Sequence, residues 1–339
     1  MGRVVLVTGV SRDFGGRFAR RIAAAPGVEH VIGVDTVPPR DDLGPVSFVR
    51  ADIRNPVIAQ VITGQGVDTV VHLSVQSAPH EAGGRTSMKE HNVIGTMQLL
   101  AACQKAAGLE RLVVKSSSAI YGSSSRDPAM FTEDMSAKRM PRSGYAKDVL
   151  EVEGYVRGFA RRRPDVAVTL LRAANAVGPR VRTPLTDYFR LPVVPTVLGF
   201  DARLQLLHES YLLGALEHAT LGGVHGTFNV AGDGLLVLSQ ALRRLGRPTV
   251  PVPAFALGAI GAVSQQAGVK GLQAELSGFL TFGRGLDTTR MRSVLGFRPA
   301  YTTAEAFADF GRSIAPGRLP RPAALAGAPG ISAAGDTRA

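Results

Sequence analysis

Short apolar runs alternate with stretches of helical spacing through the first half of the chain. Val4–Thr8 is a continuous apolar run, the signature of a strand covered on both faces. Phe14–Ala25 repeats its apolar residues at helical intervals and stops before Pro26-Gly27. Val31–Val34 predicts a second strand closed by Asp35, and Val46–Val49 a third. Val57–Ile62 predicts a short helix before a fourth strand at Val67–Leu73. Thr86–Ala107 has the spacing of one long helix, and Leu112–Val114 opens a fifth strand that runs into three serines. A helix over Gly144–Arg161 and a strand over Val166–Leu171 follow. Strands separated by helices imply βαβ units with right-handed crossovers. The fold class is therefore α/β, a doubly wound parallel sheet of the Rossmann type.

The second half is less regular. Helical spacing recurs near Glu209–Ala219, Ser239–Leu245, Phe255–Leu276 and Thr303–Ile314, with short strands near Leu204–Leu207 and Thr227–Val230. The pattern predicts a Rossmann domain over residues 1–180 and a smaller mixed α/β lobe over 181–314. Part of 204–232 is expected to return to the first domain. From Pro316 the chain is mainly Ala, Gly, Pro and Arg without periodicity, and 315–339 reads as a disordered tail.

Composition adds constraints. A chain of 339 residues with 45% hydrophobic and 19% charged residues can bury a large core without disulfides or metal. The one cysteine, Cys103, sits in an apolar helical pattern and reads as a buried small hydrophobe. This fits a reducing, cytoplasmic setting, as does a start with no signal-peptide pattern. The most apolar later stretch, Val250–Val263, is broken by two prolines and falls short of the roughly 20 residues a membrane span requires. The net charge of +12 comes almost wholly from arginine, since only six of the 39 basic residues are lysine. The arginines are scattered apart from Arg161-Arg162-Arg163, which ends a helix. No alternation of aromatic and basic residues suggests a nucleic-acid platform, so no nucleic-acid partner is expected. The seven histidines are dispersed, and no metal site is expected.

The candidate chemistry begins where the first strand ends, in Thr8-Gly9-Val10-Ser11-Arg12-Asp13-Phe14-Gly15-Gly16. Gly9 and Gly15 have the spacing that lets a backbone turn tightly and a helix start pack against a strand. A diphosphate would lie over the free N–H groups of that helix. Asp35 ends the second strand 20 residues beyond Gly15, where a carboxylate accepts hydrogen bonds from an adenosine ribose. Arg12 stands where a middle glycine is usual. It could reach a 2′-phosphate, whereas Asp35 would repel one; NAD is favoured over NADP.

These residues resemble the extended short-chain dehydrogenase/reductase family, in its NAD-dependent epimerase/dehydratase group. The likeness runs from Val4 to about Phe310. It includes Asp52-Ile53-Arg54, Val71-His72-Leu73-Ser74, Asn92-Val93-Ile94-Gly95-Thr96, Ser116-Ser117-Ser118-Ala119-Ile120-Tyr121-Gly122, and Leu171-Arg172-Ala173-Ala174-Asn175-Ala176-Val177-Gly178-Pro179. Near the end, Leu286-Asp287-Thr288-Thr289-Arg290 and Leu295-Gly296-Phe297-Arg298-Pro299 continue it. The resemblance implies an NAD site built from Gly9, Ser11, Arg12, Phe14, Gly15, Asp35, Asp52, Ile53, Leu73, Ser74, Asn92 and Lys147. It implies that Ser117 orients a substrate oxygen and that Asn175 lies on the substrate side. It also implies hydride transfer, in which a tyrosine moves the hydroxyl proton and a lysine four residues later lowers the tyrosine pKa.

The sequence departs from that pattern at the pair itself. Lys147 with Glu151 fits the family's K-x-x-x-E, which places Ser143 in the tyrosine slot. Tyr145 is two residues before Lys147, about 200° around a helix, and on this register needs a local distortion to act. Leu204-Gln205-Leu206-Leu207-His208-Glu209-Ser210-Tyr211 resembles the family's Q-F-x-H-x-D-D, with Ser210 and Tyr211 in place of both aspartates. The reading is an NAD-dependent epimerase/dehydratase-like oxidoreductase acting on a hydroxyl-bearing small molecule, with a nucleotide sugar as the candidate. The alternative is a non-catalytic dinucleotide-binding sensor or scaffold. The resemblance also implies a homodimer.

Overall fold

The computed structural model describes residues 2–77, 83–138, 140, 141, 144–256 and 276–314. Strand β1 (Arg3–Thr8) carries Val5, Leu6 and Val7 with no exposure, so both of its faces are covered. Around it lie β2 (Val28–Asp35), β3 (Ser47–Arg50), β4 (Thr69–His72), β5 (Arg111–Ser117), β6 (Ala167–Ala173) and β11 (Gly226–Val230). They form a seven-stranded sheet in the order β11-β6-β5-β4-β1-β2-β3, with every pairing parallel. The order reverses between β1 and β4. In such sheets, ligands bind in the crevice at the carboxyl ends of the strands at that reversal.

The two faces pack separate cores, because alternate residues of a strand point to opposite sides. Val5, Val7, Val71, Val113 and Leu171 meet Phe18 and Ile22 of α1 (Asp13–Ala23) and Leu212 and Leu216 of α7 (Glu209–Gly222). Leu6, Val70, Leu112, Val114 and Leu170 meet α2 (Val57–Gly64), α4 (Gly95–Lys105) and α5 (Gly144–Arg162) through Ile58, Leu99, Val156 and Phe159. Cys103 lies in this second core, and burial pushes its thiol up to about 12, which makes it inert.

A third core gathers α6 (Pro184–Phe189), α8 (Leu238–Arg244) and the helix Thr303–Arg312 around short strand pairs. There β7 (Asn175–Val177) pairs with β10 (Leu206–His208). Strand β8 (Val194–Val197) pairs with β13 (Thr249–Val252), and β9 (Arg203–Leu204) pairs with β12 (Leu236–Val237) and Gly283–Arg284. Phe189 is fully buried, with ring centroids 5.1 Å from Phe307 and 6.2 Å from Phe310. Phe189→Ala should lower stability by about 3–5 kcal/mol, read as a shift of the urea midpoint at unchanged slope.

The stretch expected as one helix over Thr86–Ala107 is three segments. These are α3 (Arg85–Lys89), a π-helical turn at Glu90–Ile94, and α4. The wider turn lets the Asn92 side chain leave the helix face. Its Oδ1 accepts from the Gln76 backbone N–H at 2.7 Å, and its Nδ2 donates to the Gln76 carbonyl at 2.9 Å. Such turns recur at functional sites. Gly95 follows because a Cβ there would lie 2.8 Å from Ile53 Cδ1. The sequence-based helix at Phe255–Leu276 and the tail at 315–339 lie largely or wholly outside the described residues.

Candidate active site

At the sheet reversal, Gly9 turns the chain with φ +83°, and a Cβ on it would lie 2.9 Å from Ser74 Cα. A Cβ on Gly15 would lie 2.1 Å from the Gly9 carbonyl oxygen, so no side chain fits there. The backbone of β1 and the start of α1 thus pack against each other more closely than any side chain at these two positions would allow. Arg12 precedes α1 with φ −91° and ψ 148°, an extended conformation open to any residue, which explains why glycine is dispensable here. This cradle suits a diphosphate, and Phe14 packs beneath it against the first core.

At the end of β2 the backbone is ordered around Asp35. One of its oxygens accepts from Ser11 N–H at 3.0 Å and the other from Thr36 N–H at 2.8 Å. The Ser11 hydroxyl donates to the Val37 carbonyl. Asp52 accepts from the Arg54 guanidinium at 2.6 Å, and that hydrogen bond holds its carboxyl below the usual carboxylate range. Ile53 is buried against the start of α4.

Beneath the middle of the cleft, His72 bridges Thr8 and Thr96 at 2.9 Å each. Burial pulls its pKa down to about 3, so it stays neutral and ties β1, β4 and α4 together. The Leu73 N–H donates to the Thr8 hydroxyl at 3.1 Å, and both Leu73 and Ser74 are buried. Asn92 reaches beyond Gln76 to Asp148 at 3.2 Å. Arg85 clamps the same carboxylate with both terminal nitrogens, at 2.6 and 2.5 Å.

At the far end, Ser117 closes β5 and caps the 3₁₀ turn Ser118–Tyr121 by accepting from Ala119 N–H at 3.2 Å. Tyr145 stands in the first turn of α5, directly after Gly144, whose φ is +76°. Its phenol is hydrogen-bonded to the Ser117 side chain. Burial pushes that phenol up to about 12, an effect the Ser117 hydrogen bond opposes and the Asp148 charge reinforces. The structure therefore brings Ser117 and Tyr145 together at the start of α5. Lys147 is not with them: its side chain is 40% exposed and pairs with Glu151 at 3.8 Å. Ser143 lies outside the described residues. Asn175 opens β7 beside Leu206 of β10, half-buried.

Sequence reasoning missed two features of this end, although Glu153 stands eight residues after Tyr145, where the tyrosine-lysine-glutamate spacing counted from Tyr145 ends. One is Glu153, which α5 buries together with Asp148, with no side-chain exposure. It accepts from Arg172 at 2.8 Å and from the Ser116 hydroxyl at 2.5 Å. Arg172 also donates to the Tyr121 hydroxyl at 2.8 Å and the Glu133 carbonyl at 2.7 Å. This network fixes the end of β5 against α5. The other feature is Lys115, two residues before Ser117 on β5. Burial, and then the charge of Arg12, lower its pKa to about 8. Among the described residues, no group of three or more His, Cys, Asp or Glu is placed to hold a metal. Nor is any helix among them long and apolar enough to cross a membrane.

A glycine cradle at the sheet reversal, a carboxylate at the end of β2 and a serine–tyrosine pair at the end of β5 define a Rossmann protein of the short-chain dehydrogenase/reductase class. The chain belongs to the NAD dependent epimerase/dehydratase family, whose sequence profile matches residues 5–192. An uncharacterized protein of Mycobacterium tuberculosis is 51% identical over 320 residues, 93% of this chain and 85% of that protein. A UDP-glucose 4-epimerase of Corynebacterium glutamicum is 29% identical over 180 residues, 51% of each chain. Among solved structures, MoeE5 in complex with UDP-glucuronic acid and NAD superposes with a TM-score of 0.69 at 22% identity, over 92% of this chain and 98% of that one. The dTDP-glucose 4,6-dehydratase DesIV of Streptomyces venezuelae, with NAD bound, gives 0.68 at 24% identity, over 91% and 96%. At these identities the structural likeness establishes the fold.

Proposed function

We propose that this protein binds NAD and oxidises a secondary hydroxyl of a nucleotide sugar, as an epimerase or dehydratase does in its first half-reaction. The observation that carries the reading is the hydrogen-bonded Ser117–Tyr145 pair at the carboxyl end of β5, beside a cradle that only glycine permits. Gly9, Gly15 and the start of α1 would hold the diphosphate, and Asp35 the adenosine ribose. NAD, when bound, supplies the acceptor for the hydride leaving the substrate carbon. Ser117 donates to or accepts from the substrate oxygen and orients it. Tyr145, as phenolate, takes the hydroxyl proton and becomes a phenol. Buried Leu73 and Ser74 floor the cleft between the two ends. The test is to titrate NADH by fluorescence, then to assay UDP- and dTDP-sugars for epimerised or dehydrated product. NADH binding without turnover of any such sugar would favour the sensor or scaffold reading.

Asp35 makes a separate prediction. Its carboxylate already accepts two backbone N–H groups, so it is fixed where a ribose 2′-hydroxyl would donate and a 2′-phosphate would be repelled. Asp35→Ser should narrow the preference for NADH over NADPH by about tenfold or more, an effect of at least ~1.4 kcal/mol on relative affinity. Parallel fluorescence titrations with the two nucleotides measure it.

A further inference from the structure

A lysine interrupts β5 where the strand is otherwise apolar: Lys115 follows Leu112, Val113 and Val114. The sheet register says where its side chain goes. Lys115 pairs with Leu171 of β6, which is buried in the first core. Paired residues point to the same face of a sheet, so Lys115 leaves β5 on the face that α1 and α7 cover. Its position along the strand is set by the other ladders. Thr8 of β1 pairs with His72 of β4, and His72 pairs with Val114 of β5. One residue further on, Gly9, Leu73 and Lys115 form the next row. A Cβ on Gly9 would lie 3.2 Å from the Leu73 carbonyl carbon, in keeping with that row. Lys115 therefore stands two strands from the glycine turn, on the face where α1 begins.

The electrostatics agree with this placement. Arg12, the residue before α1, is the charged group that acts on Lys115, and the charge of Lys115 reaches His72 in turn. Among the described residues no carboxylate pairs with Lys115. Glu209, which opens α7 on the same face, is bound by Arg17 at 2.6 Å. Buried Arg284 differs, because it directs its donors to protein oxygens: the Gly122 carbonyl at 2.7 Å and the Ser118 and Ser123 hydroxyls at 3.1 Å each. Lys115 is half-buried, and its nitrogen is not among the enclosed, unpartnered atoms, so it opens to solvent. Two cations thus act on each other beside the helix start whose N–H groups already favour an anion. Like charges held together in a partly buried place are costly, and the cost falls when an anion sits between them.

We propose that Lys115 is a cofactor-binding residue: with Arg12 it forms a two-cation seat for the diphosphate of the dinucleotide, adding charge from strand β5 to the backbone cradle at α1. The row it occupies lies between Asp35 on β2, at the proposed adenosine end, and the Ser117–Tyr145 pair, at the proposed substrate end. The inference rests on the dinucleotide site of the proposed function.

Binding to the full-length protein tests it without any turnover. NADH is titrated by fluorescence, and ADP, UDP and adenosine are measured by their displacement of NADH. Lys115→Met should weaken NADH and ADP by about tenfold or more, the usual worth of a charge-assisted hydrogen bond to phosphate. Adenosine, which has no phosphate, should bind as it does to the native protein. Lys115→Arg keeps the charge and should recover most of the affinity. Added KCl should weaken NADH more steeply in the native protein than in Lys115→Met. Lys105→Met, at the end of α4, lowers the net charge equally and should leave every affinity unmoved. The urea midpoint of ligand-free Lys115→Met should be no lower than native, since an uncompensated charge is removed. Equal NADH and ADP affinities in native protein and Lys115→Met would overturn the proposal. So would an equal loss for adenosine, which would make the effect one of shape, or a loss confined to UDP, which would assign the cation to the diphosphate of the sugar nucleotide. Native protein that binds neither NADH nor ADP removes the proposed function and this inference with it, whereas normal NADH binding in Lys115→Met removes only the role of Lys115.

Discussion

Tyr145→Phe should lower turnover of the accepted nucleotide sugar by about 10²–10⁴-fold, the usual worth of a positioned general base. NADH affinity should be unchanged, because the proposed adenosine and diphosphate contacts lie at β1 and β2. The ring stays in the variant and its packing is kept, so the stability loss should be small. What disappears is the oxygen that shares a hydrogen bond with Ser117. Ser117→Ala removes the other half of the pair and should depress turnover in the same direction. The double variant should cost less than the two singles multiplied, since the residues act as one unit. The pH profile follows from the direction of the phenol shift. Burial raises Tyr145 above its ordinary value, so the phenolate fraction, and with it the oxidation rate, should rise as pH increases from neutrality. In Tyr145→Phe that limb should vanish. A phenylalanine variant with native turnover and a native pH limb would assign the proton transfer to another group.

Much of the cofactor half of this site can be read locally. The run Val4–Thr8, the glycine pair and Asp35 are close in sequence, and each is dictated by backbone geometry that one segment imposes on itself. The Gly15 position tolerates no Cβ, and this shows in the sequence as a glycine at fixed spacing. The catalytic half is decided by contacts between distant segments. A K-x-x-x-E pattern starting at Lys147 points to Glu151, yet α5 turns Glu153 inward along with Asp148, because the partners of Glu153, Ser116 and Arg172, sit on β5 and β6. That rotates the helix so that Tyr145, Val149 and Glu153 share the inner face, and Lys147 faces out. Counted from Tyr145 instead of Lys147, the same four-residue spacing reaches Val149 and Glu153, but nothing local says which register the distant partners select. The π-helical turn was hidden for the same reason: Asn92 leaves the helix to satisfy the backbone of Gln76, 16 residues earlier. Lys115 escaped notice because a strand bordered by three serines looks complete without it. Only the sheet register shows that it shares a face with Ser117.

The Arg172–Glu153 pair carries the other large expected effect. Both side chains are buried, Arg172 with 8% side-chain exposure and Glu153 with none. Burial alone would lower the pKa of Arg172, but the hydrogen bonds and charge of Glu153 more than offset it and raise the pKa overall. Arg172→Met leaves the carboxylate with Ser116 and with Arg157, whose side chain is 47% exposed and whose contact is 2.9 Å. Removing one partner of a buried ion pair typically costs about 3–5 kcal/mol. A loss of that size should appear as a lower urea midpoint for Arg172→Met, with turnover falling even where the variant is still folded. Turnover falls because Arg172 also donates to the hydroxyl of Tyr121, the last residue of the turn that follows Ser117, and to the Glu133 carbonyl. Replacing both partners discriminates stability from positioning. Glu153→Leu with Arg172→Met leaves no buried charge and should recover most of the stability, since apolar replacement of a buried pair is often neutral. Its turnover should stay low, because the tie between the 3₁₀ turn and α5 is still missing. If the double variant regains activity along with stability, the pair serves the fold alone, and the serine–tyrosine geometry is set by packing.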